Sequence, residues 1–218
     1  MKKFISKISA VAVVSLITLS SSYAKTEGGY AGISIQKASV EHLNQDRSNK
    51  FAGQKYGDSQ NSLGLDYKYA INVGGNVFLA PGVFLERIGT KSYDSSVIEE
   101  NGEGASVAFN NRYGAKLDIG YDINDNTAVY FTNGVSRLGY RLSHVDATGE
   151  GHPRDTSGRA YAYFYGIGLL SHLNDKATLG IEYNTQDFKS SSLLNARTPG
   201  FRIKNQIDVF KLTVAYHF

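Results

Sequence analysis

Charged residues recur at alternate positions inside stretches that are otherwise apolar. Glu86 follows Val83 and Leu85. Arg112, Lys116 and Asp118 interleave with Tyr113, Ala115, Leu117 and Ile119. Glu182 lies between Ile181 and Tyr183, and Lys211 between Phe210 and Leu212; Asp66, Lys68 and His217 are placed in the same way. A period of two is that of a strand, so each stretch shows one apolar and one polar face. Carboxylates, ammonium groups and a guanidinium on facing polar sides can neutralise one another. Left unpaired in a low dielectric, each would cost several kcal/mol. Glu86, Arg112, Lys116, Asp118, Glu182 and Lys211 are therefore expected to form a salt-bridge network in an interior. The alternative is a water-filled path lined by the same charges, since charged rings line selective pores.

Catalytic chemistry finds less support. The histidines are His42, His144, His152, His172 and His217. His144 and His152 share one polar stretch with Asp146, Asp155 and Ser157. A nucleophilic triad needs fixed mutual geometry, and a metal needs ordered ligands with support behind them. A polar loop seldom supplies either. With no cysteine, thiolate chemistry and disulfides are excluded. Gly102, Gly104, Gly149 and Gly151 do not lie between a strand and a helix, so they do not form a phosphate loop. The expectation is no enzyme, no metal and no cofactor.

Eight alternating segments carry the pattern, at about Gly28–Lys37, Ser62–Ala70, Asn76–Ile88, Val107–Asp122, Thr127–Leu142, Arg159–Leu173, Ala177–Lys189 and Asn205–Phe218. The fifth is irregular: Val129, Phe131 and Val135 share one face while Tyr130, Leu138 and Tyr140 fall on the other, so a bulge is expected to reset it. Pro81 lacks a ladder donor, which predicts a bulge at Ala80-Pro81-Gly82 or a strand split in two. Three connectors are short and rich in Asn, Asp or Gly (Ile71–Gly75, Ile123–Asn126, Asn174–Lys176), as tight turns require. Four are long and polar, at about Ala38–Asn61, Gly89–Ser106, Ser143–Gly158 and Ser190–Lys204. Strict alternation of short and long connectors predicts up-and-down hairpins with one plain and one elaborate end. The long loops exceed what a turn needs, and loops are where binding resides. The second is acidic and the fourth basic, which makes Glu99, Glu100, Arg197, Arg202 and Lys204 the binding candidates.

Lys and Arg outnumber Asp and Glu by 23 to 20. Lys2, Lys3 and Lys7 account for the excess, and they precede an apolar run from Ile8 to Leu19 and a small-residue site at Ser22-Tyr23-Ala24. This reads as a secretory signal peptide over residues 1–24, too short for a spanning helix, followed by one domain over residues 25–218. The remainder is near neutral, which argues against nucleic-acid binding. Gly (23) and Tyr (15) are abundant and Pro (3) is rare, which favours strands and turns.

The final strand alternates from Phe210 to a terminal Phe218. With Gly180-Ile181-Glu182-Tyr183-Asn184-Thr185-Gln186-Asp187-Phe188, Gly120-Tyr121-Asp122-Ile123-Asn124-Asp125-Asn126 and the turn Leu173-Asn174-Asp175-Lys176, it resembles the small eight-stranded outer-membrane barrels. These are the OmpA-like transmembrane domains, the Opa-type proteins and the 25–31 kDa surface antigens of Gram-negative bacteria. The resemblance implies an all-β, eight-stranded antiparallel up-and-down transmembrane β-barrel in the outer membrane, with short periplasmic turns and long outward loops. It implies an assembly signal at Tyr216 and Phe218, read by the barrel assembly machinery and periplasmic chaperones. It also implies contact with outer-membrane lipid and lipopolysaccharide, and outward loops that engage host surface or matrix proteins. Tyr30, Tyr69, Tyr121, Tyr216 and Phe218 are expected to form the interfacial girdle. A low-conductance pore and a lipid A-modifying enzyme are the alternative functions, and a soluble lipocalin-like barrel the alternative fold.

Overall fold

The computed structural model describes residues 26–44, 55–94, 104–145, 156–189 and 203–218. These form nine strands with no helix among them: β1 (Gly28–Asn44), β2 (Lys55–Gly74), β3 (Val77–Arg87), β4 (Lys91–Asp94), β5 (Gly104–Asn124), β6 (Thr127–Val145), β7 (Thr156–His172), β8 (Ala177–Lys189) and β9 (Ile203–His217). Each strand pairs antiparallel with its neighbours. β9 pairs back onto β1, and β3 bridges β2 to β5. β3 and β4 are two pieces of one stave, both paired to β5. The sheet is thus a closed antiparallel barrel of eight staves.

Alternation sets the walls. Ile33, Ile35, Leu63, Leu65, Val83, Ile167, Val214 and their kind point outward and are exposed, as suits a surface wetted by lipid. Each described turn is closed by an asparagine carboxamide that accepts from the backbone N–H two residues on: Asn72 from Gly74, Asn124 from Asn126 and Asn174 from Lys176, all at 2.9 Å. This side-chain mimicry of a turn is why Asn recurs there.

Large inward rings demand small partners. Phe78 lies directly opposite Gly120, Tyr130 opposite Gly168 and Tyr140 opposite Gly158. A Cβ built on any of these three glycines would stand within 2.2 Å of the facing aromatic side chain. An eight-stave lumen holds little more than its own side chains, so the ring occupies the space the glycine vacates. Gly168→Leu is expected to destabilise the folded barrel by about 1–3 kcal/mol through overpacking, read as a lower urea midpoint in micelles. An unchanged midpoint would show that Tyr130 can swing aside.

Several expectations need correction. The strands run deep into the segments read as loops: β1 continues to Asn44 and pairs through Leu43–Lys55 with β2, and β9 begins at Ile203. Lys204 is therefore a strand residue opposite Lys189, not a loop residue. Pro81 causes no bulge and no break. It sits in register opposite Leu117, and the ladder to β2 passes from Lys68–Gly82 to Ile71–Leu79 without a pair at Pro81. The missing donor leaves a gap in one ladder only. The third stave does break, but at Ile88–Thr90, where Gly89 has φ of +66°. β6 needs no reset. The extra residue is on β5, where Asn110 and Asn111 together face Gly139, so Leu138 and Tyr140 simply point inward. The same bulge turns Phe109 inward, where unbroken alternation with Tyr113, Ala115 and Leu117 would put it outward. Tyr30 also points inward, sharing parity with Gly32 and Ser34, and stacks on His217 at 4.5 Å. Tyr69, Tyr121, Tyr216 and Phe218 do face outward. The signal-peptide segment and Glu99, Glu100, Arg197 and Arg202 lie outside the described residues.

The 21 residues of β5 extend roughly 70 Å at about 3.3 Å per residue. Even tilted by about 40°, such a stave rises well beyond an apolar band of about 25 Å. Above the band the wall divides. Among the described residues the β7–β8 ladder stops at Phe164–Gln186 and the β2–β3 ladder at Gly64–Glu86. Two four-stranded sheets continue outward, β8-β9-β1-β2 and β4-β5-β6-β7. Between them lies an apolar core: Val40, Ile207 and Val209 from one sheet meet Phe109, Leu138 and Tyr140 from the other, with Ile88 between.

Candidate functional site

The lumen brings all six expected network residues together and adds two more. β2 supplies Asp66 and Lys68, β3 Glu86, β5 Arg112, Lys116 and Asp118, β8 Glu182 and β9 Lys211. Register alone places Glu86 beside Arg112 and Glu182 beside Lys211. Of the remaining contacts, Lys116–Asp118 runs along β5 and the others join staves that are not neighbours. Lys116 reaches Glu182 at 3.1 Å, Asp66 at 3.4 Å and Asp118 at 3.9 Å. Lys211 reaches Asp66 at 3.3 Å, Glu182 at 3.5 Å and Glu86. Lys68 meets Asp118 at 2.9 Å and Arg112 meets Glu86 at 3.2 Å. Four cations thus face four carboxylates, and the cluster is neutral.

Neutral partners complete it. Tyr130 donates its hydroxyl to Glu182 at 3.2 Å, and the Asn184 amide donates to the other oxygen of Glu182 at 2.8 Å. Arg112, 1 % exposed, donates to the Asn184 carbonyl at 3.1 and 3.2 Å. Its guanidinium lies against the edge-to-face pair of Phe84 and Phe164, at 5.0 and 4.8 Å from the two rings. Sequence reasoning missed Asn184 as a partner, although its parity with Glu182 was visible. The network borders a cavity of about 30 Å³ lined by Tyr30, Asp66, Lys68, Lys116, Tyr130 and Glu182 among others. That is room for about two waters.

At the turn end, Thr26 donates its hydroxyl to Asp122 at 2.6 Å and lies 3.5 Å from His172 Nε2. His172 Nδ1 contacts the Thr178 hydroxyl at 3.2 Å, and His217 lies in this mouth, 5.5 Å from the His172 ring. In a nucleophilic triad the carboxylate holds the imidazole; here it accepts from the hydroxyl instead. Among the described residues no group of three or more His, Asp or Glu is placed to hold a metal ion. Of the residues weighed for a loop triad or metal site, His144 pairs in register with Ala105, and Ser157 with Arg141, both within strands. Asp146, His152 and Asp155 lie outside the described residues.

A closed sheet of eight staves with an apolar outer wall and a charged lumen is the architecture of a barrel that crosses a membrane with strands. Residues 9–218 match the outer membrane protein beta-barrel domain. The chain belongs to this family. Membership places the barrel in the outer membrane of a Gram-negative bacterium. No curated protein matches the sequence. Among solved structures, the chain is similar to Ail, the attachment invasion locus protein of Yersinia pestis, in complex with the heparin analogue sucrose octasulfate (14% identity, 88% of this chain and 99% of that one, TM-score 0.47). It is similar to Neisserial surface protein A (11% identity, 88% and 100%, TM-score 0.46). It is also similar to OprG of Pseudomonas aeruginosa (14% identity, 90% and 99%, TM-score 0.44).

Proposed function

We propose that this barrel is a surface protein whose outward end, held above the membrane by two projecting sheets, binds macromolecules outside the cell, host surface or matrix proteins among them. The observation that carries the reading is the filled lumen. A neutral ion network occupies the middle and an apolar core closes the space between the projecting sheets. With the interior spent on packing, the surface left for specific contact is the outward end and the segments it carries, in which Glu99, Glu100, Arg197 and Arg202 supply charge. In this reading a signal peptide cleaved after Ala24 directs export, and Tyr216 and Phe218 present the assembly signal. The protein acts by presentation and not by catalysis.

The test is binding of bacteria displaying the barrel to host cells and immobilised matrix proteins. The intact protein is compared with a form whose residues 45–54, 95–103, 146–155 and 190–202 are replaced by short turns. Binding by the intact form and its loss on trimming, with heat-shifted gel mobility retained, is the expected result. Equal binding by both forms, or by neither, would sink the proposal. A narrow pore is the second reading, favoured by the charge-lined cavity. Planar bilayers should stay silent with the native protein. A steady current altered by Glu86→Ala would establish the pore in its place.

A further inference from the structure

We propose that Arg137, Arg141 and Arg159, set around Gly139 on the outward wall, form a binding site for the phosphate of an outer-leaflet lipid headgroup. Arg159 is directly opposite Gly139 across the β6–β7 ladder, and Arg137 and Arg141 are two residues to either side of that glycine on the same face. Diagonal neighbours of this kind lie about 7–8 Å apart, within reach of long side chains. Gly139 carries no side chain, and a Cβ placed there would meet nothing nearer than 3.8 Å, the Asn111 carbonyl oxygen. The three guanidinium groups therefore border a recess whose floor is bare backbone.

The height of the recess identifies its occupant. On β7 the outward residues Ile167, Tyr165, Tyr163 and Tyr161 are apolar or aromatic, and the next outward residue is Arg159. The site thus stands where the apolar band ends, at the level of lipid headgroups. Arg137 is built in rather than free. It donates to the Tyr113 hydroxyl at 2.8 Å and lies between the Tyr113 and Tyr161 rings at 5.8 and 5.5 Å. Its Nε has no partner among the described residues. Charge is divided around the collar. The described outward side chains beyond the band on β3, β5, β6 and β7 include Arg87, Asn110, Asn111 and the three arginines but no carboxylate. Those on β8, β9, β1 and β2 include Asp187, Asp208 and Glu41, with Lys37 as the cation on that side. Guanidinium forks match phosphate oxygens in pairs, which a generic need for interfacial cations would not require.

Native mass spectrometry of the detergent-folded chain tests this with two added probes, lipid A and phosphatidylglycerol, each titrated against phosphatidylcholine as reference. The expected result is retention of lipid A and at least a tenfold loss in the double variant Arg141→Gln/Arg159→Gln. Gly139→Val keeps every charge but fills the recess, and is expected to lose a similar margin. Arg141→Lys/Arg159→Lys, with charge retained and the fork lost, falls between. Heat-shifted mobility verifies the fold of each. Equal retention of phosphatidylglycerol keeps the phosphate site and names a glycerophospholipid as its source. Retention of neither probe above the reference overturns the proposal. So does wild-type affinity in Gly139→Val, which would reduce the arginines to side chains that snorkel to the interface.

Discussion

Lys211→Met is expected to destabilise the barrel by about 3–5 kcal/mol, the usual effect of removing one partner from a buried ionic cluster. Lys211 touches Asp66, Glu86 and Glu182, so its loss leaves three carboxylates short of a cation and the cluster with a net negative charge. Methionine retains much of the aliphatic length, so the electrostatic change dominates. The four-to-four balance of charge offers its own control. Adding Glu86→Gln to Lys211→Met restores neutrality and should recover most of the loss, a coupling that a double-mutant cycle isolates. Urea unfolding in micelles, followed by tyrosine fluorescence since the chain has no tryptophan, gives both numbers. Additive costs in the double variant would show that Glu86 and Lys211 act independently.

Phe109→Ala should cost about 3–5 kcal/mol, as truncating a buried phenylalanine does, and deleting Asn110 should cost clearly less. β5 carries one residue too many opposite Gly139, and that residue changes which face is inward. Below the bulge Arg112, Lys116, Asp118 and Asp122 point inward; above it Phe109 does. Without Asn110 the two strands match one to one, Asn111 opposite Gly139 and Phe109 still opposite Tyr140, so the outer part of β5 keeps its faces. Phe109 then stays in the core shared with Leu138 and Tyr140. What the deletion removes is the Asn110 carbonyl, which accepts from the Ile88 N–H of the broken stave at 2.7 Å. Urea midpoints in micelles compare the two variants, and a deletion as costly as Phe109→Ala would show that the bulge does more than set the facing of Phe109.

Glu86, Arg112, Lys116, Asp118, Glu182 and Lys211 were legible as inward residues because parity is local and needs only the neighbours along one strand. The three short turns were legible because Asn closes them through bonds that span two residues. The inward turn of Phe109 was not legible, because a bulge has no signature in one strand alone; it is a mismatch between two. Tyr30 was read by type, as a girdle aromatic, when its parity with Ser34 already placed it inside. The strand ends were misjudged for a related reason. Polar stretches such as Lys55–Asn61 pair because an apolar core forms behind their partners, and nothing in their own composition announces it.

Alternation along the chain, by itself, determined an all-β barrel with an apolar outside and a charged inside, since side-chain direction follows from period two. Only the tertiary structure decided which charge meets which. Lys116 and Glu182 are 66 positions apart and touch across the lumen, and their approach depends on barrel closure and register together. The same holds for the division into two outward sheets and for the arginines gathered around Gly139. Those arrangements come from long-range pairing, whose energy is shared between strands and written in no single one.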